Sequence, residues 1–284
     1  MKIQWYPGHM AKTKRLLTEQ LKKADFIIEL ADARIPLSSR NPDLIKLAEN
    51  KKRVLVLTKA DLANPKETQR WLQALRNEGE RVIDFDANPK SKNKLMQFIQ
   101  EASQIFIERA ENRGIKKTIR AMVIGVPNVG KSTFINRMVG ASITSVANKP
   151  GHTKSNRWVK VNPYLELMDS PGMLWPRLDN EMAAQRLAYI GTIKDAVYNS
   201  EELAMELLWE LFHTIPQDTK ERFKLKEDSY ESKLALLEAL CQGRGFLMRG
   251  GVFDYERACA VILEEFRNGK VARLSLEKVG DTWA

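Results

Sequence analysis

The sequence predicts an α/β fold, a mostly parallel sheet with helices on both faces, followed by a small all-α region. Three observations carry this. Short, continuous apolar runs recur up to about residue 169, as expected of strands buried on both faces of a parallel sheet. Amphipathic helical patterns alternate with those runs, the signature of βα units. From about residue 178 the apolar residues fall only at helical spacing.

Residues 9–23 read as a basic helix with Leu16, Leu17 and Leu21 on one side. Strands are predicted at Phe26–Leu30, Val54–Leu57, Arg81–Phe85 and Ala121–Val126, with helices over 65–77 and 92–112. Two adjacent strands, Trp158–Val161 and Tyr164–Met168, follow, joined by a turn at Asn162-Pro163. Beyond them, 201–212 sets Leu203, Leu207, Leu208 and Leu211 on one helical face, and 254–267 does the same with Tyr255, Cys259, Ile262 and Phe266. Leu234, Leu237 and Cys241 mark another helix between these. Such stripes predict core packing. The turn at Trp175-Pro176 divides a domain over 1–177 from a helical domain over 178–284.

Charge is unevenly placed. The 284 residues hold 46 Lys and Arg against 36 Asp and Glu, a net of +10. Residues 1–179 hold 32 basic and 18 acidic side chains, and 180–284 hold 14 and 18, so the halves carry +14 and −4. A polyanion partner is one explanation of the first part and ordinary solubility another. An apolar content of 43% excludes wholesale disorder. Two cysteines cannot staple a chain of this length, and they fit a reducing, cytoplasmic setting. No apolar run approaches the roughly 18 residues of a membrane span. Met1–Trp5 does not read as a signal peptide.

Gly125-Val-Pro-Asn-Val-Gly130-Lys131-Ser132 fits G-x-x-x-x-G-K-[ST], between a buried strand and a helical pattern carrying Phe134, Ile135, Met138 and Val139. Backbone N–H groups from Asn128 through Thr133 can cradle phosphates at the helix start. Lys131 supplies a point charge for the β and γ phosphates, and the Ser132 hydroxyl can ligate Mg²⁺. Asp169-Ser170-Pro171-Gly172 follows at a strand end. Its carboxylate can hold Mg²⁺, and the Gly172 N–H can meet the γ phosphate. Thr153 is a candidate second Mg²⁺ hydroxyl, with an ordinary loop threonine as the alternative. Together these predict a two-switch nucleoside triphosphatase.

Thr58-Lys59-Ala60-Asp61 follows a strand and fits the [NT]-K-x-D element that reads guanine. Asp61 can accept from both N1–H and the 2-amino group, and the Lys59 stem can lie along the purine. The order is unusual, because this element precedes the P-loop rather than following it. Joining old termini and opening new ones preserves spatial neighbours, so the motifs predict a circularly permuted P-loop GTPase.

Trp5-Tyr6-Pro7-Gly8-His9-Met10, Asp32-Ala33-Arg34-Ile35-Pro36 with Ser39-Arg40-Asn41-Pro42, the permuted motifs and Trp158–Val161 together resemble the bacterial ribosome biogenesis GTPase A family, also called YlqF. The likeness runs over nearly the whole chain. It implies a GTPase that hydrolyses GTP to GDP and assists late maturation of the large, 50S ribosomal subunit. A GTP-dependent switch for another RNA or a membrane-associated partner is the alternative. Two positions depart from the pattern. Thr58 stands where the family often has Asn, which predicts weaker bracing of the P-loop. Asp86-Ala87 stands as the second base loop, where an acidic side chain is unexpected.

Met173 occupies the position where many GTPases orient water with Gln, so intrinsic turnover is expected to be slow and raised by the ribosomal particle. His9 is the first candidate to position the nucleophile, a role the resemblance also implies. Capping or packing of the first helix is its alternative. His152 is a second candidate, and His213 reads as structural. The resemblance also makes the Asn128 amide a candidate K⁺ ligand. Lys12, Lys14, Arg15, Lys22 and Lys23 on the N-terminal helix are candidates for rRNA contact, with a solvated face as the alternative. Lys116, Lys117 and Arg120 can extend that surface. The expected partners are the large-subunit precursor, through rRNA and ribosomal proteins, and GTP or GDP. A monomer is expected.

Overall fold

A computed structural model describes residues 8–86, 88, 91–140, 158–170, 180–193 and 198–281, with backbone alone for 8–14. A six-stranded sheet is ordered β3-β2-β1-β4-β6-β5. Its strands are β1 (Phe26–Asp32), β2 (Lys52–Thr58), β3 (Val82–Asp84), β4 (Ile119–Gly125), β5 (Trp158–Asn162) and β6 (Leu165–Asp169). All neighbours pair parallel except β5 with β6. The two central strands are apolar on both faces because both faces are covered.

One face carries α1 (Gly8–Leu21), α2 (Pro42–Leu47) and α3 (Pro65–Asn77). Leu17 and Leu21 pack there on Ile27, Met122 and Ile124, while Trp71, Leu72 and Leu75 pack on Leu55 and Leu57. Leu16, predicted to join that side, is 43% exposed. Of the three predicted leucines, the i, i+4 pair Leu17 and Leu21 points at the sheet. The other face carries α4 (Ser91–Glu111) and α5 (Lys131–Val139), with Phe106 stacked on Phe26 and Phe134 edge-on to Phe85. Asn41 and Asn64 cap α2 and α3 by accepting from the N–H groups of their first turns.

Glu29 interrupts an apolar strand and is only 2% exposed. Arg40 at 3.0 Å and Arg53 at 3.3 Å neutralise it, and both also reach Glu80, at 2.7 and 2.6 Å. The network ties the chain after β1 to the outer strands, and explains a buried carboxylate that would otherwise be costly.

The chain divides into two compact units, one of 4–180 with Ser275–Ala284, the other mainly Glu181–Leu274. The second contains α6 (Glu181–Tyr189), α7 (Ser200–Thr214), α8 (Pro216–Phe223), α9 (Lys233–Arg244) and α10 (Tyr255–Arg267). Leu203, Leu207, Leu208 and Leu211 are fully buried, as are Leu237, Cys241 and Ile262. Leu234 is 50% exposed, against expectation, and Leu236 and Leu240 take the inward positions of α9. The division differs from a split into 1–177 and 178–284, with its boundary after residue 180. The last residues return to the α/β unit, because Ser275 and Glu277 hydrogen-bond there. Among the described residues, no helix is long and apolar enough to cross a membrane.

Candidate functional site

Four parallel strands deliver their following loops to one edge of the sheet. The P-loop leaves β4, Asp169 ends β6, the Asp32–Ser39 turn leaves β1, and Thr58–Asp61 leaves β2. This carboxyl edge is where α/β sheets bind ligands. The permuted motifs, 70 residues apart in sequence, thus meet in space.

Gly125 has φ +156°, and a Cβ there would lie 2.7 Å from the Leu30 carbonyl oxygen. Only glycine lets the P-loop leave β4 against its neighbour. Asn128 (φ +58°) and Gly130 (φ +102°) continue the left-handed curl that precedes α5. The Lys131 Nζ donates to the carbonyls of Gly125 at 3.1 Å and Val126 at 2.8 Å. Burial lowers this ammonium to about 8, against the pull of Asp169. Thr133, on the first turn of α5, is exposed.

The Ser132 hydroxyl donates to Asp169 Oδ2 at 2.9 Å. Burial raises the Asp169 pKa, while Lys131 and Ser132 lower it, and the net direction is up. Its Oδ1 is buried and has no hydrogen-bond partner among the described residues. A hydroxyl and an unsatisfied carboxylate oxygen are hard donors of the kind Mg²⁺ takes, so the residues present fit that ion. Thr153, Gly172, Met173 and His152 lie outside the described residues.

Thr58 reaches the P-loop through its hydroxyl. Its hydroxyl lies 2.7 Å from the Val129 carbonyl of the P-loop and 3.0 Å from the Ala31 carbonyl. A β-branched residue at the end of β2 holds its hydroxyl on the neighbouring strand and loop, so no amide is needed. Thr58→Val keeps the shape and leaves these carbonyls without their donor. Stability should fall by about 1–3 kcal/mol, read as a lower urea midpoint at unchanged slope. An unchanged midpoint would make the bond immaterial.

Lys59 joins the P-loop to the turn after β1. At φ +56°, its Nζ donates to the Asn128 carbonyl at 2.8 Å and pairs with Asp32 Oδ2 at 3.0 Å. Asp32 is fully buried and also takes Arg34 side-on, Nε at 3.0 Å and Nη2 at 2.9 Å. Burial would raise the Asp32 pKa, but Arg34 and Lys59 outweigh it and hold the carboxyl well below its ordinary range. Sequence reasoning used Asp32 and Arg34 only as marks of resemblance. Their role as the joint between base motif and P-loop emerges only in space. Asp61 is exposed at the rim, and the Ala60 N–H donates to Phe85 O at 3.2 Å, fixing the motif beside β3.

The Asp86 side chain is held by the chain that follows it. Its Oδ1 accepts from the Asn88 N–H at 2.9 Å and from the hydroxyl of Ser91, the first residue of α4. The acidic side chain is engaged there rather than aimed at a base. Ala87 lies outside the described residues, as do the side chains of His9, Lys12 and Lys14. Arg15, Lys22 and Lys23 are exposed, with Lys22 paired to Glu19 at 3.0 Å. His213, on α7, lies against Trp209 and Phe212.

The model of the family described as 50S ribosome-binding GTPase matches residues 120–226. The ribosome biogenesis GTPase A of Priestia megaterium is 40% identical over 98% of this chain and 97% of its own. This chain belongs to the ribosome biogenesis GTPase A family. The member from Bacillus licheniformis is likewise 40% identical, over 99% of this chain and 100% of its own. The crystal structure of GNP-bound YlqF from T. maritima shares the fold, with a TM-score of 0.67 and 24% identity over 95% of this chain and all of that one. The P-loop described above is therefore that of a GTPase, with GTP as substrate.

Proposed function

We propose that this chain hydrolyses GTP to GDP and phosphate with Mg²⁺, and uses the cycle as an assembly factor in late maturation of the 50S subunit. The observation that carries the reading is the meeting of Thr58–Asp61 with the P-loop, braced by Thr58 and Lys59. The relatives named ribosome biogenesis GTPase A support the ribosomal part.

In this reading Asp61 selects guanine and the backbone from Asn128 to Thr133 wraps the phosphates. Lys131 exchanges its two loop carbonyls for phosphate oxygens, so its charge is already held at the reacting centre. Ser132, Thr153 and Asp169 hold Mg²⁺, which neutralises charge on the phosphates when bound. Gly172 senses the γ phosphate, and the chain from Asp169–Gly172 into the helical unit carries its loss outward. Met173 cannot orient water, so turnover by the free protein is slow and the ribosomal particle raises it. His9 positions the attacking water, and Asn128 holds K⁺ where a cation stabilises the transition state.

The basic N-terminal segment, with Lys12, Lys14, Arg15, Lys22 and Lys23, rides on rRNA phosphates. Lys22 and Lys23 lead into Asp25, which pairs with Lys117, and Arg120 pairs with Glu166 at 3.1 Å over the Trp158 ring. Lys22, Lys23, Lys117 and Arg120 lie where the parallel strands begin, at the edge opposite the P-loop. The protein acts in the cytoplasm as a monomer.

Sedimentation of a lysate with a non-hydrolysable GTP analogue tests this. Co-migration with large-subunit precursors is expected, stronger than with GDP and weakening as salt rises. Equal migration with both nucleotides, or association with another RNA, would overturn it. In the same preparation, particle-stimulated turnover should rise when K⁺ replaces Na⁺ and fall for His9→Ala. No change in either sinks that assignment.

A further inference from the structure

The chain leaves the helical unit at residue 274 and lays a short strap across the base-binding side of the α/β unit. Hydrogen bonds at three successive residues hold it. Glu277 Oε2 accepts from the Leu37 N–H at 2.7 Å, and Oε1 accepts from the Ser38 N–H at 3.1 Å. The Leu276 N–H donates to Arg34 O at 2.8 Å. The Asn64 N–H donates to Ser275 Oγ at 3.2 Å, and Trp71 Nε1 donates to Glu277 O at 3.2 Å. Glu277 is 1% exposed.

A buried carboxylate aimed at main-chain N–H groups is a strong, directional lock. Here it locks the turn whose Arg34 clamps Asp32, which in turn holds Lys59 on the P-loop. Ser275 meets Asn64, three residues after Asp61. One strap therefore reaches both loops that shape the guanine end of the site, from more than 200 residues away in sequence.

We propose that the strap is a positioning element for guanine recognition, with Glu277 acting through the Leu37–Ser38 turn and Ser275 through the Asp61–Asn64 loop. This rests on the assignment of Asp61 as the base reader. The strap acts on nucleotide selection because Asp61 must meet both N1–H and the 2-amino group at once, and a loosened loop loses the second bond first.

The test compares GDP with inosine diphosphate, which lacks the 2-amino group. Glu277→Ala should weaken GDP binding about tenfold, the equivalent of one strong hydrogen bond. It should weaken inosine diphosphate binding less, so the ratio of the two affinities falls. Glu277→Gln, which keeps one acceptor oxygen, should fall between. A purely structural role would lower the melting temperature and leave that ratio untouched. An unchanged ratio in folded Glu277→Ala overturns the proposal. Should that variant not fold, Ser275→Ala and Glu277→Gln carry the same comparison, and an unchanged ratio in both is equally decisive. Asp61→Asn separates the two failures. If it leaves guanine preference intact, the base assignment itself is wrong. If it removes the preference while the strap variants do not change the ratio, the strap alone has failed.

Discussion

Asp61→Asn is expected to exchange GTP for xanthosine triphosphate as the preferred nucleotide. The Asp61 carboxylate offers only acceptors, which match the N1–H and 2-amino donors of guanine. Asparagine replaces one acceptor with an amide donor. That donor faces the 2-amino group of guanine without a bond, but finds an acceptor in the C2 carbonyl of xanthine. Sites built around a hydrogen bond reject ligands that cannot make it by about 10⁴-fold, so GTP affinity should fall by roughly that factor. Asp61 is exposed, so the fold should survive. Competition of each triphosphate against labelled GDP reads the exchange. Retained GTP preference would mean that the guanine is read elsewhere.

Asp32→Asn should produce the largest loss of stability. The carboxylate is fully buried between Arg34, itself 1% exposed, and Lys59. Removing one partner of a buried pair costs about 3–5 kcal/mol, because the remaining charge stays out of water. Chemical denaturation should therefore show a large fall, and GDP binding should weaken with it, since Lys59 loses the anchor that aims it at Asn128. The pH dependence has a fixed sign. Asp32 holds its proton less tightly folded than unfolded. Its contribution is complete above the ordinary carboxylate pKa and is lost as pH falls below it. Asp32→Asn should flatten that acid limb. A variant that stays within about 1 kcal/mol of the parent would show that the triad is not a joint, since that is the scale of an exposed pair.

The α/β class, the helical region and the nucleotide chemistry were legible because each has a local cause. Apolar runs and helical stripes reflect burial of a face. G-x-x-x-x-G-K-S is legible because phosphate wrapping needs small residues and a cation at fixed spacing. Leu16 and Leu234 misled because a stripe names a helix side without naming its width. Thr58 and Asp86 were judged against a family pattern, yet the Thr58 hydroxyl reaches Val129 O and the Asp86 carboxylate is taken up by Asn88 and Ser91.

The permuted order shows where the boundary lies. The sequence alone determined that Thr58–Asp61, a P-loop and Asp169 sit on strand ends, since each is a contiguous run with its own chemistry. It could not decide which strands are neighbours. The tertiary structure placed β2 and β4 on either side of β1, so that Thr58 meets Val129 and Lys59 meets Asn128. It also returned Glu277 to a turn more than 200 residues earlier. Such contacts leave no periodicity or spacing, because the hydrogen bonds that make them depend on distance in space rather than along the chain.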